Sequence, residues 1–230
     1  MKKWTWKKTT FAALSRGSCV ALLSAVIATP ALAGSREQAQ RIHDRLAGVP
    51  PSAAVLTQME SLIQGGDPEG AAYIAMDDVN FYNVTLKNFA APWTNRDRNV
   101  FVPLNDYIAT VIGMIRDDVP FNTLLSADLT YMGANGVVGP APSASNNTHY
   151  EQLEANNVNL RDDLVSVSQS SINGLPSTAT AGVMTSRAAS EAFFIAGTNR
   201  AMFRFTLLNH MCNDLEQVHD VNLAPDRIRQ

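Results

Sequence analysis

Three side chains of the kinds that bind zinc, Cys212, Glu216 and His219, stand at steps of four and then three residues. On one continuous helix those steps bring them to one edge, where a thiolate, a carboxylate and an imidazole could share a zinc ion. The plainer alternative makes Cys212 a small apolar residue at the border of a helix face. Glu216 and His219 are then solvated near a helix end, where histidine suits the dipole. This plainer alternative is favoured, so protein purified without added metal is expected to hold no zinc.

Other chemistry-bearing residues form no known constellation. The remaining histidines, His43, His149 and His210, are scattered. The chain contains no His-Glu-x-x-His, Gly-x-Ser-x-Gly, phosphate loop or Cys-x-x-Cys-His. Three acidic pairs occur, Asp77-Asp78, Asp117-Asp118 and Asp162-Asp163. Paired carboxylates can hold calcium or move protons, but each pair falls at an expected element boundary, where capping and solvation explain it. Asp117-Asp118 sits at a helix C-terminus, against the dipole, and calls for a compensating arginine such as Arg116.

The elements that must position these residues read as helices. Ser35 to Leu46 places Gln38, Ile42 and Leu46 on one face, and Pro50-Pro51 breaks it. Ser52 to Gln64 follows and stops at Gly65-Gly66. Asp67-Pro68-Glu69 opens another helix, running to about Asp77, with a cap, a first-turn proline and a first-turn acid. Asp78 caps the next, which ends at Ala91-Pro92-Trp93. Pro103 to Asp118 aligns Leu104, Ile108, Val111, Ile112 and Ile115. Asp128 to Met132 and Val165 to Ser168 look extended and suited to pairing with each other. A helix from Thr185 to Ala196 ends at Gly197, and Thr198 caps a long helix through Val218. Its face of Met202, Phe205, Leu208, Met211, Cys212, Leu215 and Val218 makes it the expected central packing element. Phe205 and Leu208, mid-stripe, are expected to be fully buried, with Arg204 on the other side. The fold class is therefore mainly α, a helical bundle-like domain with a minor β-hairpin. The glycine-, proline- and serine-rich stretch 133–147 is a loop between an N-terminal helical part, 34–132, and a C-terminal part, 148–230.

Residues 1–33 read as a secretory signal peptide. Four lysines precede a mostly apolar stretch, and Ala31-Leu32-Ala33 is a small-x-small cleavage site. The longest apolar run is too short to span a bilayer, which takes about 20 residues. Cleavage after Ala33 leaves 13 basic and 21 acidic residues, a net charge of −8. Such a chain is not built to attract nucleic acid or anionic lipid, and no stable membrane span is expected. One cysteine, Cys212, remains, so no disulfide closes within the mature chain. The expected location is periplasmic or secreted.

Two stretches carry a resemblance. Val119-Pro120-Phe121-Asn122-Thr123-Leu124-Leu125-Ser126-Ala127-Asp128-Leu129-Thr130-Tyr131 resembles a "PF-x-ELL-x-ADYT" segment. Gly182-Val183-Met184-Thr185-Ser186, then Thr198, Arg200, Leu207-Leu208 and Cys212, resembles "G-[IL]-L-T-H", "T-S-P-V-x-R-G" and "LL-C". Both patterns belong to a secreted bacterial family, typified by planctomycete proteins. Its members carry consecutive domains of unknown function, often beside cytochrome-c-like modules. The match covers roughly residues 70–220. Ser186 stands where the family has histidine, Asn199-Arg200-Ala201 replaces the proline- and glycine-containing stretch, and Cys212 is displaced. The resemblance implies an exported, cytochrome-associated protein. It implies no cofactor within this chain and haem c in a region downstream of Gln230.

Three functional expectations follow. The first is a non-catalytic exported domain that supports or docks to a cytochrome c-type redox module. The second is an exported hydrolase acting on envelope polymers, which requires converging Asp, Glu or His in a pocket. The third is a structural envelope or adhesion domain, which requires a large exposed apolar surface.

Overall fold

The structure is a computed structural model and describes residues 34–195 and 199–218. The signal-peptide reading of 1–33, the caps at Gly197 and Thr198, and His219 lie outside the described residues.

Helix α1 (Ser35–Leu46), α2 (Ala53–Gln64) and α3 (Pro68–Met76) pack on one another around Ala39, Leu56, Met59, Ala71 and Ala75. Their ends follow the local chemistry read from sequence. Ser52 Oγ accepts from the Val55 amide, and Asp67 Oδ1 accepts from the Gly70 amide. Gly66, at φ 85°, ends α2 with the amide of Asp67 donating to Leu62 O. Helix α4 begins as a π-helical turn, Phe81–Leu86, and continues as Lys87–Ala90. Asp78 caps its approach, accepting from the Asn80 amide at 2.8 Å.

The central element is α5 (Asp106–Arg116), capped by Asn105, whose Oδ1 accepts from the Ile108 amide. Every residue from Tyr107 to Met114 is buried, so α5 is surrounded on all sides. Its C-terminus closes with Asp118 at φ 51°, a position glycine usually fills. The amide of Val119 donates to Met114 O there, and that of Asp118 to Ile115 O. Strand β1 (Thr130–Gly133) crosses α5 and pairs antiparallel with β2 (Leu164–Val167), in the register Tyr131↔Ser166 and Met132↔Val165. Tyr131 packs flat on the helix because Gly113 has no side chain; a Cβ there would lie 2.1 Å from the ring. The chain is thus mainly α with a minor two-stranded antiparallel ribbon. Helix α6 (Thr148–Ala155), the short α7 (Leu160–Asp163) and α8 (Ser170–Asn173) complete the middle of the chain. The large core runs from Phe81 to Phe193 and takes residues from both sides of the 133–147 loop.

The C-terminal elements differ from expectation. Helix α9 begins at Arg187, with Ser186 as its cap, and runs Arg187–Ser190 before a π-helical turn, Glu191–Ile195. Helix α10 spans Asn199–His210 and ends there instead of continuing to Val218. Cys212 sits at φ 52°, and the amides of Met211 and Asn213 both donate to Leu207 O. A short helix, α11 (Leu215–Val218), follows the break. Phe205 and Leu208 are half-buried, not fully buried, because the described residues cover α10 along one side alone. The central packing role belongs to α5.

Candidate functional site

The break at Cys212 removes the single helix edge on which Cys212, Glu216 and His219 were to meet. Cys212 is exposed at the bend, and Glu216 belongs to the separate short helix α11. The i, i+4, i+7 relation needs an unbroken helix, and a left-handed residue at its first position destroys it. Among the described residues, no three His, Cys, Asp or Glu side chains stand close enough to hold a metal ion.

The histidines divide by role. His43 is buried, with Nδ1 2.8 Å from Val49 O, which pins the turn after α1. His149 is buried too, with Nε2 accepting from the Gly133 amide at 3.0 Å and Nδ1 2.8 Å from Pro140 O. Because an amide only donates, Nε2 is the acceptor there, which leaves Nδ1 to donate to Pro140 O. It staples the two ends of the glycine-rich loop. His210 stands at the end of α10, with Nε2 2.7 Å from the Tyr107 hydroxyl and the ring edge-to-face with Trp93 at 5.5 Å. Burial holds the His210 pKa below its ordinary value and pushes the Tyr107 phenol up.

The aspartate pairs act as caps and ties. Arg116 donates through Nε and Nη2 to both Asp117 oxygens, at 2.6 and 2.9 Å. Tyr131 donates to Asp117 Oδ2 at 2.8 Å. The Arg116 hydrogen bonds hold the Asp117 carboxyl below its ordinary value, and Tyr131 helps. This is the compensation the helix C-terminus required. Arg161 joins Asp77, donating to its backbone oxygen and its Oδ1, both at 2.8 Å.

The most worked polar site was not legible as a motif. Asp106, in the first turn of α5, reaches the N-terminus of α9. Its Oδ2 accepts from the Arg187 amide at 2.6 Å and its Oδ1 from the Ala188 amide at 3.0 Å. Burial raises its pKa, while the Ala188 and Arg187 amides and the Arg187 charge pull it back. The Arg187 side chain runs to Asn147 Oδ1 at 3.0 Å and to Glu191, and leaves its buried Nε without a partner. A cavity of about 400 Å³ opens beside this guanidinium, with Asn105, Asn147, Glu151 and Glu191 on its wall. A second cleft of about 250 Å³ lies over Lys87, Asn83 and Val158. There Glu154 pairs with Lys87 and accepts from the Leu104 amide at 2.7 Å. The partners of Asp106 are 81 and 82 residues away, so spacing gave no signal for this site.

Helix α10 is attached along one side. Phe205 stacks on Phe193 at 4.7 Å, Asn209 Nδ2 donates to Trp93 O at 3.2 Å, and Thr206 contacts Met184 Sδ. Arg204 forms a two-pronged pair with Asp214, at 2.9 and 2.8 Å, that folds the break back on the helix. Ala201 and Met202 also pack on the core, and the remaining sides of α10 carry Phe203 and half-buried Leu207 and Leu208.

No protein-family model, curated protein or solved structure matches the chain. The reading of its surfaces therefore rests on their geometry.

Proposed function

We propose that the chain is an exported, non-catalytic domain that uses α10 to dock a second protein module. The partner implied by the resemblance of 119–131 and 182–212 is a cytochrome c-type redox module. The observation that carries the docking is the coverage of α10. Phe203, Leu207 and Leu208 are apolar, yet none of them is buried, while Ala201, Met202 and Phe205 pack partly buried on the core. Phe203 is 57% exposed, and Phe194, Ile195 and Met211 on the flanking segments are 51%, 82% and 59% exposed. A helix with more apolar surface than its own body covers marks an interaction face. Export rests on the leader pattern of 1–33. The described residues contain no helix long and apolar enough to cross a membrane.

The test is purification of the full-length gene product from its native cell, read by the Soret band and by haem content. The proposal expects stoichiometric haem with the natural chain and, in limited proteolysis, faster release of the haem-bearing module with Phe203→Ser. A natural preparation without haem contradicts the cytochrome partner. A release rate that Phe203→Ser leaves unchanged contradicts α10 as the docking face.

A further inference from the structure

The cavity beside Arg187 has a composition that the docking role does not use. It measures about 400 Å³, within the range of small-ligand sites. Its polar lining residues include Asn105, Asn147, Glu151, Arg187 and Glu191. The lining also includes Val102, Pro103, Ala188 and Ala192, which add a small apolar surface.

The electrostatics select the class of ligand. Arg187 is already neutralised by Glu191, and its Nη2 is committed to Asn147. Glu151 adds a further negative charge and spends one oxygen on the Asn147 amide. An anion would meet a net negative wall with its arginine occupied. A neutral ligand carrying many hydroxyls fits instead, because each hydroxyl donates to a carboxylate or amide oxygen and accepts from an amide N–H. The buried Nε of Arg187 is one donor still without a partner on the protein.

An exposed aromatic residue directly precedes the lining segment in the chain. Phe101 is 90% exposed, and the next residue, Val102, lines the cavity. The Phe101 amide donates to Asn99 Oδ1 at 2.9 Å, and the Asn95 amide group bonds Asn99 O and Ala91 O, both at 2.9 Å. The backbone that carries this ring is therefore fixed. A fully exposed phenyl ring gains nothing from the fold, whereas it stacks well on the C–H face of a sugar ring.

From these features we infer a binding site for a neutral saccharide, with Glu151 and Asn147 engaging ring hydroxyls and Phe101 stacking on a sugar face. The test is isothermal titration of the full chain with cellotetraose, chitotetraose, maltotetraose and xylotetraose. At least one should bind saturably. Phe101→Ala and Glu151→Gln, both exposed positions, should each weaken that binding by tenfold or more while leaving the melting temperature unchanged. Phe203→Ser should leave it intact, which separates this site from docking by α10. Absence of saturable binding by all four sugars overturns the inference, and so does binding that neither cavity variant weakens.

Discussion

The amide of Val183 donates to the carbonyl of Leu124 across 3.0 Å, joining the segments 119–131 and 182–186. Around this contact Gln169 Nε2 donates to Gly182 O at 3.0 Å, and Thr185 Oγ1 donates to Gln169 Oε1 at 2.5 Å. Asp128 accepts from both the amide and the hydroxyl of Ser170. The segments are nearly 60 residues apart in sequence and form one polar clasp beneath α9.

Gly182 is required by that clasp. Its φ is 53°, and a Cβ would lie 1.9 Å from Leu124 O. A left-handed non-glycine residue costs about 1–3 kcal/mol, and here the backbone of 124–126 must also move. Gly182→Ala should therefore lose at least about 3 kcal/mol in a urea melt.

Gly113→Ala should reverse a familiar rule. In an exposed helix the change stabilises by about 1 kcal/mol. At Gly113 the added methyl would meet the Tyr131 ring at 2.1 Å, so β1 must lift off α5. The expected result is a destabilisation of about 1–3 kcal/mol, measured by denaturant titration.

Asp117 sets part of the acid limb of stability. Its folded pKa is lowered by Arg116 and Tyr131, so its contribution is fully present above the ordinary aspartate value near 4. That contribution is lost as pH falls through the lowered folded value. Asp117→Asn should flatten the fall in melting temperature below about pH 4, and Tyr131→Phe should flatten it less. An unchanged acid limb in both would show that the network carries no linkage.

Asp106 has the opposite sign. Its folded pKa is raised, chiefly by burial, so its charged form is penalised at neutral pH and relieved as pH falls through the raised value. Removing the carboxylate nevertheless strands the Arg187 and Ala188 amides. Asp106→Ala should cost about 1–3 kcal/mol for each donor left buried and unpaired, and hydrogen exchange at Arg187 and Ala188 should accelerate.

What sequence could and could not show follows from the range of the forces. The cap at Asp67 bonds an amide three residues on, and the α5 stripe repeats at three and four residues, so patterning exposes much of the helical frame. The stripe from Met202 to Val218 is just as periodic, yet periodicity does not report what covers a face. The break at Cys212 comes from Leu207 O taking two amides and from the Arg204–Asp214 pair, none of which alters the apolar spacing. The 400 Å³ cavity was hidden for a related reason. Its walls come from 94–105, 145–151 and 187–192, brought together by tertiary packing.

The face of α10 is tested most directly by comparing two phenylalanines in urea melts of the isolated chain. Phe193 is 1% exposed within the core, and Phe203 is 57% exposed on α10. Phe193→Ala should cost about 3–5 kcal/mol. Phe203→Ala should change stability by less than about 0.5 kcal/mol, because its ring stands mostly exposed among the described residues. A loss at Phe203 as large as that at Phe193 would place the outer face of α10 in the core and contradict its role as a docking face.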